Sequence, residues 1–128
     1  MKLRCLIVED ATFIREIYRY SLQSENYEII AEAADGVDAL IKIEALKPDI
    51  IILDLILPLK NGLEVLKESH RISPQSRVLV ISSINDQSVI NQAKSLGAID
   101  YLTKPFTKQQ LLISMQQISL NYSEVQNG

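Results

Sequence analysis

Cysteine is nearly absent. Cys5 stands alone in 128 residues, so no internal disulfide forms, and its apolar surroundings suit a thiol that packs as a small core residue. Histidine is equally scarce: His70 is the single one, in a polar stretch with no cysteine near it. A soft-metal site therefore has nothing to be built from, and His70 is expected on the surface. Long hydrophobic runs are missing too, none approaching the roughly 18–20 residues that span a bilayer. The basic-then-apolar N-terminus is interrupted by Glu9-Asp10 too early for a secretory signal, which leaves the cytoplasm as the default expectation. Charge of one sign is lacking as well. Thirteen basic against sixteen acidic residues give a net charge of −3, with no general attraction to nucleic acid or membrane and no basic recognition helix. No linker, repeat or low-complexity segment divides the chain. It reads as one domain over 1–121 with a polar tail over 122–128 expected to fray, and no room for a fused output domain.

What is present is the composition of a globular domain, 47% hydrophobic and 23% charged, long enough to bury a core without staples. Short apolar runs at 3–8, 28–34, 50–53, 78–81 and 99–102 recur at the spacing of one strand plus one crossover helix. The first, third and fourth are apolar almost throughout, as strands covered on both faces are. The second carries Glu28 and Glu32 and is expected at an edge.

Between the runs the period becomes helical. Ile14, Ile17, Tyr18, Ser21 and Leu22 share a face of the first helix. Val37, Leu40, Ile43 and Leu46 step along the second, and Gly62, Val65, Leu66 and Ile72 line the third. Val89, Ile90, Ala93 and Leu96 line the fourth; Leu111, Met115 and Ile118 line the fifth, with Thr107 placed to cap it. Asp35-Gly36, Pro48-Asp49, Asn61-Gly62, Ser73-Pro74 and Leu96-Gly97 punctuate these elements. Five βα units in series imply an α/β fold, a doubly wound parallel sheet with helices on both faces.

Such a sheet gathers its functional groups at the carboxyl edge of the strands, beside a topological switch point. The unusual residues fall there: Glu9-Asp10 after the first run, Asp54 after the third, Ser82-Ser83 after the fourth, Lys104-Pro105 after the fifth. Singly each has an ordinary explanation, since an Asp after a strand is usually a helix cap. Together, three carboxylates at one edge repel each other and call for a cation. Hard oxygen donors suit Mg²⁺, and Lys104 supplies further compensation. A carboxylate beside Mg²⁺ and a lysine is poised to attack phosphorus, with the Ser82 hydroxyl as an added donor.

The stretch Asp54-Leu55-Ile56-Leu57-Pro58-Leu59-Lys60-Asn61-Gly62 resembles the phosphorylation loop of response-regulator receiver domains. Val8-Glu9-Asp10, Val80-Ile81-Ser82-Ser83 and Tyr101-Leu102-Thr103-Lys104-Pro105-Phe106 resemble the family's other signatures, in the family's order. The likeness runs from about Lys2 to Ser119 and is nearest to the free-standing CheY-like type. It implies a flavodoxin-like sheet of five strands in the order 2-1-3-4-5 with five helices. It further implies a switch that receives a phosphoryl group on Asp54 from a histidine kinase or phosphotransfer protein. Asp10 and Asp54 would bind Mg²⁺ directly, Glu9 through a water, and the Ile56 carbonyl would be a further ligand. Lys104 and Ser82 would contact the phosphoryl oxygens, and Tyr101 would turn inward as Ser82 moves. The fourth helix, fifth strand and fifth helix would form the output face for a partner protein or a second copy, with chemotaxis suggested.

Two departures stand out. Glu9 replaces the more usual Asp and adds a methylene of reach. Ile56 and Ile84, two residues beyond Asp54 and Ser82, flank the family's approach for hydrolytic water but offer no hydrogen bond to it, which predicts slow self-dephosphorylation. Leu112, Ile113 and Leu120 exceed what one buried face of the last helix needs and mark surface for a partner. An enzyme reading as an aspartyl-phosphate phosphatase lacks a second acid near Asp54 and a cap. A flavin carrier lacks a Ser/Thr/Gly-rich loop after the first strand. A binding module without phosphorylation conflicts with the intact acidic set.

Overall fold

The computed structural model describes residues 2–24 and 26–127, with side chains up to residue 120. Five strands, β1 (Leu3–Val8), β2 (Tyr27–Ala33), β3 (Ile50–Leu53), β4 (Arg77–Ser82) and β5 (Ala98–Thr103), pair in parallel in the order β2-β1-β3-β4-β5. They alternate with helices α1 (Thr12–Leu22), α2 (Gly36–Leu46), α3 (Gly62–Ile72), α4 (Gln87–Ser95) and α5 (Lys108–Asn127). The expected fold and strand order are those observed, and β2, with Glu28 exposed, is an edge strand.

The unbroken apolar runs divide between two cores because successive side chains in a strand point to opposite faces. Leu6, Val8, Ile51, Leu53, Val78 and Val80 pack with Ala39, Ile43, Val65, Leu66 and Ala93 of α2, α3 and α4. Cys5, Ile7, Ile50, Ile52, Leu79 and Ile81 pack with Tyr18 and Leu22 of α1 and Leu111, Met115 and Ile118 of α5. Burial pushes the Cys5 thiol up to about 12, so it is an inert core residue as expected, while His70 is exposed.

The expected face of α2 holds in part: Ile43 is buried and Leu40 packs against the core, but Val37 is 43% exposed, and Gly36 and Ala39 are buried beside Ile43. Stepping by three among large apolar residues missed Ala39, whose small side chain lets the helix lie close to the sheet. The anticipated tail at 122–128 falls on residues whose side chains lie outside those described.

Side chains cap four of the five helices. Asp35 Oδ1 accepts from the Asp38 amide (2.8 Å), Asn61 Oδ1 from Glu64 (3.0 Å) and Asp86 Oδ1 from Ser88 (2.8 Å). Thr107 and Gln110 exchange hydrogen bonds at the start of α5, a capping box in which Gln110 answers the expected Thr107 cap. Helix α1 is the exception: Ala11 occupies its N-cap and makes no side-chain cap.

Candidate phosphoryl-acceptor site

Strand register assembles the site. Val8 lies opposite Leu53 across β1 and β3, so the next residues, Glu9 and Asp54, emerge side by side. The Asp54 amide donates to Val8 O (3.0 Å), and the Glu9 amide to Ala33 O (3.0 Å). Ser82 lies opposite Thr103, and the Lys104 amide donates to Ser82 O (2.9 Å), which brings the end of β5 to the same edge.

Carboxylate oxygens of Glu9, Asp10 and Asp54 lie within 4.8 Å of one another; Glu9 and Asp54 are buried and Asp10 is exposed. The ammonium of Lys104 bridges the two buried acids, 2.6 Å from Glu9 Oε1 and 2.8 Å from Asp54 Oδ2. The remaining oxygens receive backbone amides: Ala11 donates to Glu9 Oε2 (3.1 Å) and Ile56 to Asp54 Oδ1 (3.0 Å). Burial raises the Glu9 carboxyl above its ordinary value, opposed by the hydrogen bonds from Lys104 and Ala11, with the charge of Asp54 adding to the rise. Burial works against the Lys104 ammonium, but its bonds to Asp54 and Glu9 prevail and hold its pKa above the usual lysine range. An acidic cluster with one exposed carboxylate and only one lysine for three acids fits a hard divalent cation such as Mg²⁺.

The loop after β3 is shaped by two close approaches. A Cβ on Gly62 would lie 2.3 Å from Leu55 Cα, and one on Gly36 would lie 2.1 Å from Lys60 O, so only glycine admits this packing. The Gly62 amide donates to Leu55 O and the Gly36 amide to Pro58 O. Between these anchors Leu59 adopts a left-handed φ of 70° and is 80% exposed.

Ser82 is fully buried, and its Oγ accepts from the Ile84 amide at 3.3 Å. The half-buried Tyr101 donates its hydroxyl to Ile84 O (2.7 Å). Burial raises the Tyr101 phenol above its ordinary value, with the Ser82 hydroxyl opposing and Asp54 adding. Ile56 is 53% exposed and Ile84 partly buried. Behind the site Tyr18 stacks on Phe106, centroids 5.8 Å apart, under the loop that carries Lys104.

The edge thus unites Glu9, Asp10, Asp54 and Lys104 in direct proximity, with Tyr101, Ile84 and Ser82 joined in a second group through Ile84. Sequence reasoning passed over Arg15, whose guanidinium reaches the Glu9 and Asp10 carbonyls. The signal lay in an acidic pair followed by alanine, a poor cap, with a long donor one helical turn further on.

The response regulator receiver domain family matches residues 5–116. The chemotaxis protein CheY of Thermotoga maritima is 34% identical over 116 residues, which span 91% of this chain and 97% of that protein. The REC domain of AraT, a response regulator from Geobacillus stearothermophilus, superposes with a TM-score of 0.90 at 30% identity, covering 98% of this chain and 99% of that one. CheY in the CheX-CheY-BeF3-Mg²⁺ complex from Borrelia burgdorferi has a TM-score of 0.87 at 27% identity, over 91% of this chain and 88% of that one. This chain belongs to the response-regulator receiver family and is a CheY-like receiver domain, a signalling switch of the two-component type.

Proposed function

We propose that the chain accepts a phosphoryl group on Asp54 from the phosphohistidine of a kinase or phosphotransfer protein, in the cytoplasm, and passes the signal to a partner protein. The observation that carries this reading is the Lys104 ammonium held between Glu9 and Asp54 at 2.6 and 2.8 Å, within a cluster of three carboxylates. An Asp54 carboxylate oxygen attacks phosphorus, the P–N bond breaks, and the imidazole nitrogen keeps the bonding pair. Asp10, Asp54 and the Ile56 carbonyl, with Glu9 through a water, would hold Mg²⁺, which would supply charge neutralisation for the transferring oxygens. Lys104 leaves its carboxylate bridge to meet a phosphoryl oxygen, and the Ser82 hydroxyl meets another.

Ser82 and Tyr101 both hydrogen-bond at Ile84, so a displacement of Ser82 toward the phosphoryl group changes the support of Tyr101. That couples Asp54 to the face formed by α4, β5 and α5, where Leu112, Ile113 and Leu120 are exposed. This face serves an output protein or a second copy, and residues 1–121 suffice as the receiver unit. Control of motility is the first candidate output, given the chemotaxis proteins among the relatives. Ile56 and Ile84 flank the phosphoryl group without a hydrogen bond for water, so self-dephosphorylation is slow.

The test is intact-mass measurement after incubation with Mg²⁺ and a small acyl phosphate, beside Asp54→Ala. A Mg²⁺-dependent gain of one phosphoryl group by the wild type alone is expected. Folded protein that gains none would overturn phosphorylation from small donors at this site.

A further inference from the structure

The loop that carries Glu9 and Asp10 leads into the one helix without a side-chain cap. Ala11 sits at the N-cap of α1, and no acidic residue occupies its first turn. The carbonyls of Glu9 and Asp10 are instead held by a single guanidinium: Arg15 Nη1 donates to Glu9 O at 2.7 Å and to Asp10 O at 3.2 Å. The same group reaches Thr12 Oγ1 through Nη2 (3.3 Å) and Glu32 Oε1 through Nε (3.1 Å). Its side chain is only 17% exposed. Glu32 lies opposite Ile7 in the β1–β2 register, and Arg19 binds the same carboxylate from one turn along α1. The fork therefore ties the loop to the helix that follows it and to the neighbouring strand.

We propose that Arg15 is a positioning residue for the divalent cation, oriented by Glu32, which fixes the backbone of Glu9 and Asp10 so that their carboxylates are preset for the ion. The proposal rests on the cation site of the reading above. Its sign distinguishes it from simple electrostatics. A positive charge beside a cation site weakens cation binding, so removing the Arg15 charge should tighten it by Coulomb's law alone. Removing a positioning fork does the opposite, because partners that orient metal ligands are typically worth about 10–100-fold in affinity. Lysine keeps the charge but cannot place planar donors on two carbonyls and a carboxylate together.

The experiment titrates Mn²⁺, a paramagnetic stand-in for Mg²⁺, into wild type, Arg15→Gln, Arg15→Lys and Glu32→Gln. The free ion is read by electron paramagnetic resonance, and folding is checked by circular dichroism. Affinity is expected to fall about tenfold in Arg15→Gln, similarly in Arg15→Lys, and less in Glu32→Gln. Amide exchange at Ala11 in the metal-free protein should quicken in the same order, a readout independent of the ion. Equal or tighter Mn²⁺ binding by Arg15→Gln, with wild type binding normally, would overturn the proposal alone. Wild type that binds no Mn²⁺ would overturn the cation site and this proposal with it. Should Arg15→Gln fail to fold, Arg15→Lys decides the matter, because it keeps the charge and removes only the fork: unchanged or tighter Mn²⁺ binding by that variant would overturn the proposal.

Discussion

At the scale of single residues, the site is a charge problem that the metal-free fold solves only in part. Lys104 bridges Glu9 and Asp54, but Asp10 adds a third carboxylate within 4.8 Å, and no ion pair reaches it among the described residues. Asp10→Asn is expected to raise the thermal midpoint of the metal-free protein by a few degrees at low salt and to remove most of the further rise on adding Mg²⁺; calorimetry with and without the ion reads both. Glu9 sets a pH dependence. A carboxyl whose folded pKa lies above its unfolded value of 4.5 favours the fold when protonated, so its contribution is complete below that value and is lost as pH rises through the folded pKa. The cation needs the ionised form. Apparent Mg²⁺ affinity, taken from the shift in unfolding midpoint, should therefore weaken as pH falls through the raised folded pKa of Glu9, and Glu9→Gln should flatten the curve. Ile56 is half-exposed beside Asp54 and offers no hydrogen bond to an attacking water. Ile56→Asn should accelerate loss of the phosphoryl adduct several-fold, measured as mass decay; an unchanged or slower rate would remove the shielding argument.

At the scale of elements, the β3–α3 connection shows how a loop is made stiff. Gly36 and Gly62 admit backbone contacts that a methyl group would block, and Pro58 O accepts from both Gly36 and Lys60. The one element of strain between them is Leu59, left-handed at φ 70° and carrying a branched apolar side chain into solvent. A left-handed L-residue costs about 1–2 kcal/mol, less for asparagine. Leu59→Asn should stabilise the protein by about 1 kcal/mol in urea unfolding. Preserved phosphorylation in that variant would separate the strain from function, whereas slowed phosphorylation would assign the leucine a role in meeting the donor.

At the scale of the whole molecule, the sheet divides labour between its two faces and its one functional edge. Helices α1 and α5 cover one face and α2, α3 and α4 the other; under the proposed function, a change at the carboxyl edge near Ser82 and Tyr101 would be carried through Ile84 to the surface where α4, β5 and α5 meet. The apolar residues exposed on α5 are the means by which that surface would hold a partner. Leu112→Glu should abolish phosphorylation-dependent association, followed by sedimentation with the output protein or with a second copy, while phosphoryl uptake by mass is unchanged. Full association would move the output surface elsewhere.

Much of this protein was determined by the sequence itself. Alternating strand and helix periods defined the five βα units. The position of unusual residues just past apolar runs marked Glu9, Asp10, Asp54, Ser82 and Lys104 as one edge, because strand ends in a parallel sheet share a side. These are local signals, carried by period and punctuation. Tertiary structure alone decided what depends on distance between segments. Val37 proved exposed and Ala39 buried, since a helix face is chosen by how closely the backbone can approach the sheet rather than by side-chain size. Lys104 proved to bridge Glu9 as well as Asp54, which followed from register between strands far apart in sequence. The Arg15 fork closes between α1, the β1–α1 loop and β2, and no sequence period records a hydrogen bond from one side chain to two carbonyls and a carboxylate on another strand.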